Sequence, residues 1–267
     1  MLKWFRQLDK ILRGDATRMS LLTEGQIKTP VAGLSVAVLL LGVFYGLCMG
    51  SFTMIRTGGQ AYMQLIASAV KLPMLFFLTL AVTFPSLYVF NALIGTRLSV
   101  LSAMRLLIAA LGVMLAMLAS LGPIVVFFAL STKSYPFMML LNVATSTIAG
   151  VLGLGFLLRT LDRLVVIQES LESAPPGPPP LPDPGKQANA ATTGPTGALD
   201  RAGEITTRRA KSVFRVWTTV FALVGAQMSW VLRPLIGCPT LPFEWFRERE
   251  SNFFIAVLQS LVSLFSW

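Results

Sequence analysis

The chain of 267 residues contains no histidine and only two cysteines, Cys48 and Cys238. Histidine is the commonest metal ligand and general base, so its absence removes the usual basis for both kinds of chemistry. The cysteines lie far apart and lack the paired spacing of a zinc site. We therefore predict no metal and no cofactor. A disulfide is conceivable if the first and fifth predicted helices are neighbours, but two unpaired thiols are the favoured interpretation.

Charge is also scarce, because 13% of the residues are charged against 54% that are hydrophobic. This composition is typical of a chain that lies in a bilayer and not of a soluble domain. The net charge of +10 comes from basic residues that flank the apolar runs. They form no aromatic-interleaved patch, so they indicate anionic lipid and insertion topology, with no nucleic acid as a partner.

Long uncharged runs predict an all-α fold, a polytopic transmembrane bundle of about five spans, possibly six. Four spans lie in a membrane region over 31–158, and the fifth lies over 212–237. Between Arg215 and Arg233 the fifth run has seventeen uncharged residues, roughly 25 Å of helix. The first four spans are predicted at 31–52, 72–93, 98–130 and 137–158, the third with an interfacial start up to Arg105.

Three prolines are candidate helix kinks: Pro85, Pro123 and Pro234. Lys71, just before the second predicted span, is expected to snorkel to the membrane rim. The last apolar run, over 252–267, holds about fifteen residues. At roughly 22 Å it is short for a crossing, so an interfacial or re-entrant helix is favoured and a sixth span stays open.

Three further segments lie outside the five predicted spans. Residues 1–30 form a predicted cytoplasmic segment whose first helix is amphipathic and lies in the membrane surface, or alternatively packs on a neighbouring helix. Residues 159–211 are predicted as a helical extension followed by a disordered proline-rich linker over 174–200. Residues 238–267 form an outer loop and the C-terminal helix. The predicted inner segments carry 16 Lys and Arg and the outer ones 5, which places the N-terminus and linker in the cytoplasm.

Polar residues in and near the spans are the candidate functional residues. Arg233 could bind an anionic lipid head group, pair with an acidic residue of the following loop, or simply snorkel. The candidate lipid or ion-pair residues are Arg233, Glu244, Arg247 and Glu248. The candidate intramembrane polar contacts, favoured as hydrogen bonds between helices, are Asn91, Asn142 and Gln227.

Two C-terminal blocks carry a resemblance to a known family. They are GAQMSWVLRPLIG, over 225–237, and PFEWFRERESNFF, over 242–254. Both blocks resemble the C-terminal hallmark of an uncharacterised family of bacterial polytopic inner-membrane proteins. Some of its members carry a label as actin-binding WH2-domain proteins. The resemblance implies a multi-pass protein of the bacterial inner membrane and assigns no catalytic residue. A weaker similarity, resting on helix number and kinking prolines, is to Yip-type membrane proteins.

The chain has no phosphate-binding loop, nucleophile elbow, zinc-protease motif or dinucleotide fingerprint, and no acidic residue lies inside a predicted span. We therefore expect a non-enzymatic scaffold or assembly subunit of a bacterial membrane complex. Its expected partners are the bilayer, with anionic lipids on the cytoplasmic face, and other proteins of that complex. The alternative is a transporter or channel component with a pathway between the kinked second, third and fifth helices.

Overall fold

A computed structural model describes residues 31–57, 62–94, 100–172, 198–238, 243–246 and 252–265. These residues form six helices and, within the described ranges, no strand, so the predicted all-α class is confirmed. In chain order the helices are α1 (Val31–Arg56), α2 (Tyr62–Ile94), α3 (Val100–Ser131), α4 (Tyr135–Glu172), α5 (Ala198–Val231) and α6 (Phe253–Phe265).

Four of the described helices are long and apolar enough to cross a membrane, which is consistent with a multi-pass membrane protein. Their apolar parts each exceed the roughly 20 residues that a hydrocarbon core requires. They correspond in order to the first four predicted spans and cover Ala32–Arg56, Tyr62–Ser86, Met104–Ser131 and Tyr135–Thr160. The helix α6 has 13 residues, about 20 Å, and falls short of a full crossing.

The second and third spans differ from the prediction. The helix α2 begins at Tyr62, ten residues before the predicted start. Its early polar residues Gln64, Ser68 and Lys71 are buried against other protein segments. Lys71 therefore lies inside the helix, only 2% exposed, and does not snorkel to a rim. The helix α3 runs without interruption from Val100, so the predicted interfacial start is a part of the same helix.

Of the three prolines predicted to kink a helix, two lie inside helices and one lies in a loop. The helices α2 and α3 both continue past Pro85 and Pro123. Pro234 lies beyond the end of α5, in a loop, and so kinks no helix. Its peptide bond with Arg233 is cis.

The polar segments overlap the prediction in part. The helix α4 continues beyond its apolar part to Glu172, as the predicted extension requires. The helix α5 begins at Ala198, so the last three residues of the predicted linker are helical. The predicted N-terminal amphipathic helix and residues 173–197 lie outside the described residues.

Helix contacts arrange the bundle as a ring. The helix α1 packs between α2 and α3, α3 packs on α4, and α5 lies beside α2. Because α5 also contacts α4, it closes the ring, and α6 packs on α4 and α5 from outside. One end of the bundle, here called the Arg56 end, collects the end of α1, the start of α2 and the α3–α4 turn.

Three glycines one helical turn apart, Gly42, Gly46 and Gly50, place α1 directly against α2. A Cβ atom on Gly46 would lie 2.5 Å from the carbonyl oxygen of Ser68, and one on Gly50 would lie 2.9 Å from Cα of Leu65. Glycines at this spacing permit backbones to approach closely, which stabilises helix pairs where lipid is the solvent. The backbones of α1 and α2 are thus in contact at this seam.

A glycine substitution tests this seam. We expect Gly46→Ala to lower the free energy of unfolding by about 1–3 kcal/mol, because the added methyl group meets backbone atoms that cannot move aside. The matched control is Gly155→Ala in α4, where a Cβ atom has nothing within 4 Å. It should be neutral or stabilising by up to about 1 kcal/mol, since alanine favours helix. Unfolding in detergent micelles measures both, and equal effects would contradict the close contact.

Candidate functional site

Beyond Val231 the chain leaves the helix and folds back onto the Arg56 end. This segment, here called the C-terminal loop, comprises the described residues 232–238 and 243–246. Its backbone is not helical, so its carbonyl groups lack partners within the segment. In a membrane protein such groups are tolerated only where other protein groups satisfy them. Side chains of α1 and α2 do so here.

Three side chains of α2 and one of α1 hold the loop by hydrogen bonds to its backbone. Gln64 donates to the carbonyl of Pro234 at 3.2 Å and to the hydroxyl of Ser68 at 3.3 Å. The Ser68 hydroxyl lies 2.6 Å from the carbonyl of Leu235, and Thr53 donates to the carbonyl of Gly237 at 2.7 Å. We call these contacts, together with those of Lys71, the loop clamp.

Lys71 supplies the charged contacts of the loop clamp. Its ammonium group donates to the carbonyl of Pro234 at 3.3 Å and to that of Trp245. It also lies 5.0 Å from the centre of the Phe246 ring and 5.9 Å from that of Trp245. An ammonium group has three donors, and hydrogen bonds from a charged donor are stronger than neutral ones. A single buried cation therefore joins both described parts of the loop.

Gly237 lets the loop lie this close to the helices. A Cβ atom at this position would lie 2.6 Å from Cγ of Gln64 and 2.7 Å from the hydroxyl of Thr53. Those are two of the side chains that form the loop clamp. Any larger residue would therefore displace the groups that hold the loop.

A second basic residue, Arg56, stabilises the turn between α3 and α4. The Arg56 guanidinium donates to the carbonyls of Thr132 at 2.5 Å, Leu130 at 3.2 Å and Ala129 at 3.4 Å. Ala129 and Leu130 lie in the last turn of α3 and Thr132 directly follows it. The last carbonyls of a helix have no partner within the helix and carry partial negative charge. The contact fixes the end of α1 to the end of α3.

Inside the ring, a polar contact joins α1 to α4. The buried hydroxyl of Tyr45 donates to Oδ1 of Asn142 at 3.1 Å and lies 2.8 Å from the hydroxyl of Thr145. Within the described residues, the amide nitrogen of Asn142 has no hydrogen-bond partner. Asn142 therefore turns its acceptor towards the ring interior and keeps donor capacity on its other side.

The space between α2, α3, α4 and α5 is packed with apolar side chains. Trp217 of α5 is 1% exposed and its indole nitrogen lies 3.2 Å from both the carbonyl of Thr83 and the hydroxyl of Ser86 on α2. A void beside Trp217 and Phe221 measures about 10 Å³. That volume is at the lower limit for one water molecule, and the void is lined by apolar groups.

A larger cavity of about 390 Å³ lies on the outside of the ring, between α4, the C-terminal loop and α6. We call it the lateral cavity. It carries a positive charge at Arg233, whose guanidinium lies over the Trp230 ring at 4.0 Å. Asn142 lines it from α4, and Gln259 lines it from α6. The lining of the cavity thus combines one cation and several hydrogen-bonding groups with apolar side chains.

The structure brings together some of the candidate residues from the sequence and not others. Arg233 and Asn142 both line the lateral cavity. Gln227 is half-buried and has no hydrogen bond among the described residues. Glu244 is exposed in the loop. The side chain of Asn91, and all of Arg247 and Glu248, lie outside the described residues.

Cys48 and Cys238 form no disulfide, as the sequence favoured. The Cys48 sulfur lies against α3, where a Cβ atom on Gly122 would be 2.9 Å from it. Within the described ranges, no three Cys, Asp or Glu side chains come together in a way that could hold a metal ion.

Sequence reasoning missed the loop clamp. Gln64, Ser68 and Lys71 are spaced by four and three residues, which places polar groups on one face of an otherwise apolar helix. That pattern was the available signal, because a polar stripe within a span marks a face that contacts protein. Their partners could not be inferred, since the acceptors are backbone carbonyls more than 160 residues away.

Comparison with known protein families, with characterised proteins and with solved structures found no match to this chain.

Removing the ammonium group tests the loop clamp. We expect Lys71→Met to raise hydrogen exchange in residues 232–238 at least about tenfold, since each lost charged hydrogen bond is worth roughly 1.5–3 kcal/mol. Lys133→Met, at an exposed lysine of the α3–α4 turn, is the matched control and should leave loop exchange unchanged. Equal protection in the Lys71 variant would show that the loop is held without it.

Proposed function

We propose that this chain is a non-enzymatic, multi-pass integral membrane protein that acts as a scaffold or assembly subunit of a bacterial inner-membrane complex. The packed interior of the helix ring is the observation that carries the proposal. Around Trp217 and Phe221, apolar side chains of α2, α3, α4 and α5 leave a void of about 10 Å³, which is suited to a rigid support and not to a solute path.

The packed interior also bears on the alternative function. The alternative places a transport pathway between the second, third and fifth helices, and side chains of these helices fill this space together with those of α4. Transport through them would require α5 to move away from α2 and break the hydrogen bonds of the Trp217 indole. The packing therefore favours the scaffold over the transporter.

The proposed topology has five spans. The helix α5 runs antiparallel to α2 and at the same depth, because Trp217 contacts Ser86, a Cβ atom on Gly225 would lie 3.6 Å from Thr79, and the Pro234 carbonyl accepts from Lys71. A helix matched in this way to a membrane-spanning neighbour is itself a span. The predicted inner segments carry 16 Lys and Arg and the outer ones 5. In this topology the N-terminus and the 173–197 segment therefore lie in the cytoplasm and the Arg56 end faces outward.

The C-terminal loop supports the scaffold in a second way. Phe243, Trp245 and Phe246 are exposed, while Lys71 fixes the backbone that carries them. Aromatic residues at the end of a span suit the headgroup region and also dominate protein interfaces. A rigid, exposed aromatic group is a suitable surface for a partner subunit.

Isolation of the full chain in native lipids tests the proposal. We expect a protein partner at fixed stoichiometry, together with no ion conductance when the purified chain is placed in planar bilayers. The matched variants are Phe246→Ala at the loop and Phe127→Ala at an equally exposed phenylalanine of α3. The first should reduce partner recovery and the second should not. A chain recovered alone that conducts ions would overturn the scaffold in favour of transport.

A further inference from the structure

The helix α6 is apolar except at three positions, Gln259, Ser260 and Ser263. All three line the lateral cavity, together with Phe253 and Ala256. The opposite face of α6 is exposed and apolar, with Leu258 and Val262 more than 60% exposed. The helix is thus oriented with its polar side chains towards the cavity and its apolar side chains outward, where a bilayer would cover them.

The opposite walls add complementary groups. Arg233 contributes a guanidinium that is held over the Trp230 ring, and Asn142 contributes amide N–H donors. Among the described residues that line the cavity, Arg233 alone is charged and none is acidic. A planar guanidinium with neighbouring neutral donors is the arrangement that proteins use to bind phosphate oxygens.

The size and position of the cavity restrict its occupant. A volume of about 390 Å³ is in the range of small-molecule sites, roughly 300–1,000 Å³. A transmembrane helix, at a diameter of about 10–12 Å, would not fit into it. The cavity reaches from Tyr135 at the Arg56 end to Asn142, two helical turns or about 10 Å further along α4. That depth matches the boundary between head groups and hydrocarbon.

We propose that the lateral cavity binds the head group of one anionic phospholipid. Arg233 contacts the phosphate, Asn142 and Gln259 donate to head-group oxygens, and the acyl chains run along the exposed apolar side of α6. The site lies outside the helix ring and its occupancy is independent of the scaffold role. Lipid binding at the lateral cavity is therefore a property beyond the proposed scaffold function.

The binding is measured by titrating the purified full chain, in a zwitterionic detergent, with phosphatidylglycerol. Phosphatidylcholine with the same acyl chains is the comparison lipid. We expect phosphatidylglycerol alone to raise the melting temperature, with one lipid retained per chain in native mass spectrometry. Arg233→Ala should weaken the apparent affinity at least about tenfold. Arg233→Lys should keep less than about half of the thermal gain, because an ammonium group cannot bind phosphate in a bidentate manner.

Two further variants remain informative if loss of Arg233 impairs folding. Gln259→Leu changes an exposed side chain and should weaken binding by about two- to tenfold through the loss of a neutral donor. Val143→Phe fills the cavity without changing charge and should abolish retention of the lipid. Arg215→Ala is the matched charge control, since this exposed arginine lies at the other end of the apolar part of α5 and its loss should leave the affinity unchanged.

Three outcomes would overturn the proposal. Equal stabilisation by both lipids would show that the cavity does not distinguish head groups by their charge. Equal losses in the Arg215 and Arg233 variants would indicate general attraction of the lipid to a basic protein. An equal gain from inorganic phosphate or glycerol phosphate would assign the cavity to a soluble anion and not to a lipid.

Discussion

The need to satisfy non-helical backbone at membrane depth governs the Arg56 end of this protein. A chain that leaves a helix among apolar side chains exposes carbonyl groups that water cannot reach. Lys71, Gln64 and Ser68 supply donors from one face of α2, and Thr53 supplies another from α1. The cost of burying a lysine is offset because its ammonium group has defined acceptors and aromatic neighbours.

The loop clamp depends in turn on the glycine seam of α1 and α2. Thr53 and Gln64 belong to different helices, yet a Cβ atom on Gly237 would lie within 3 Å of both side chains. This is possible because Gly46 and Gly50 bring the two backbones together. Small residues in α1 therefore determine where donors of both helices meet, and the position of the C-terminal loop follows from that.

The sequence predicts the fold class and four spans because a bilayer imposes length and polarity on each helix separately. It does not predict which helices are neighbours, since that depends on how glycines and large side chains match between helices. Lys71 is the clearest case, because a lone lysine near a span is usually at a rim and its distant carbonyl partners leave no local pattern. The sequence marks Arg233 and Asn142 as polar residues in or near spans, but the cavity that both line is formed only with α6.

The closure of the ring by α5 also has a consequence for biosynthesis. The helices α1 to α4 emerge first, and 25 residues separate Glu172 from Ala198. On the proposed five-span topology, α5 and the C-terminal loop reach the groove that receives Trp217 and the polar stripe of α2 only after α1 to α4 are made. On that topology, an insertion factor that shields this groove from lipid would act after α4 is made and before α5 is inserted.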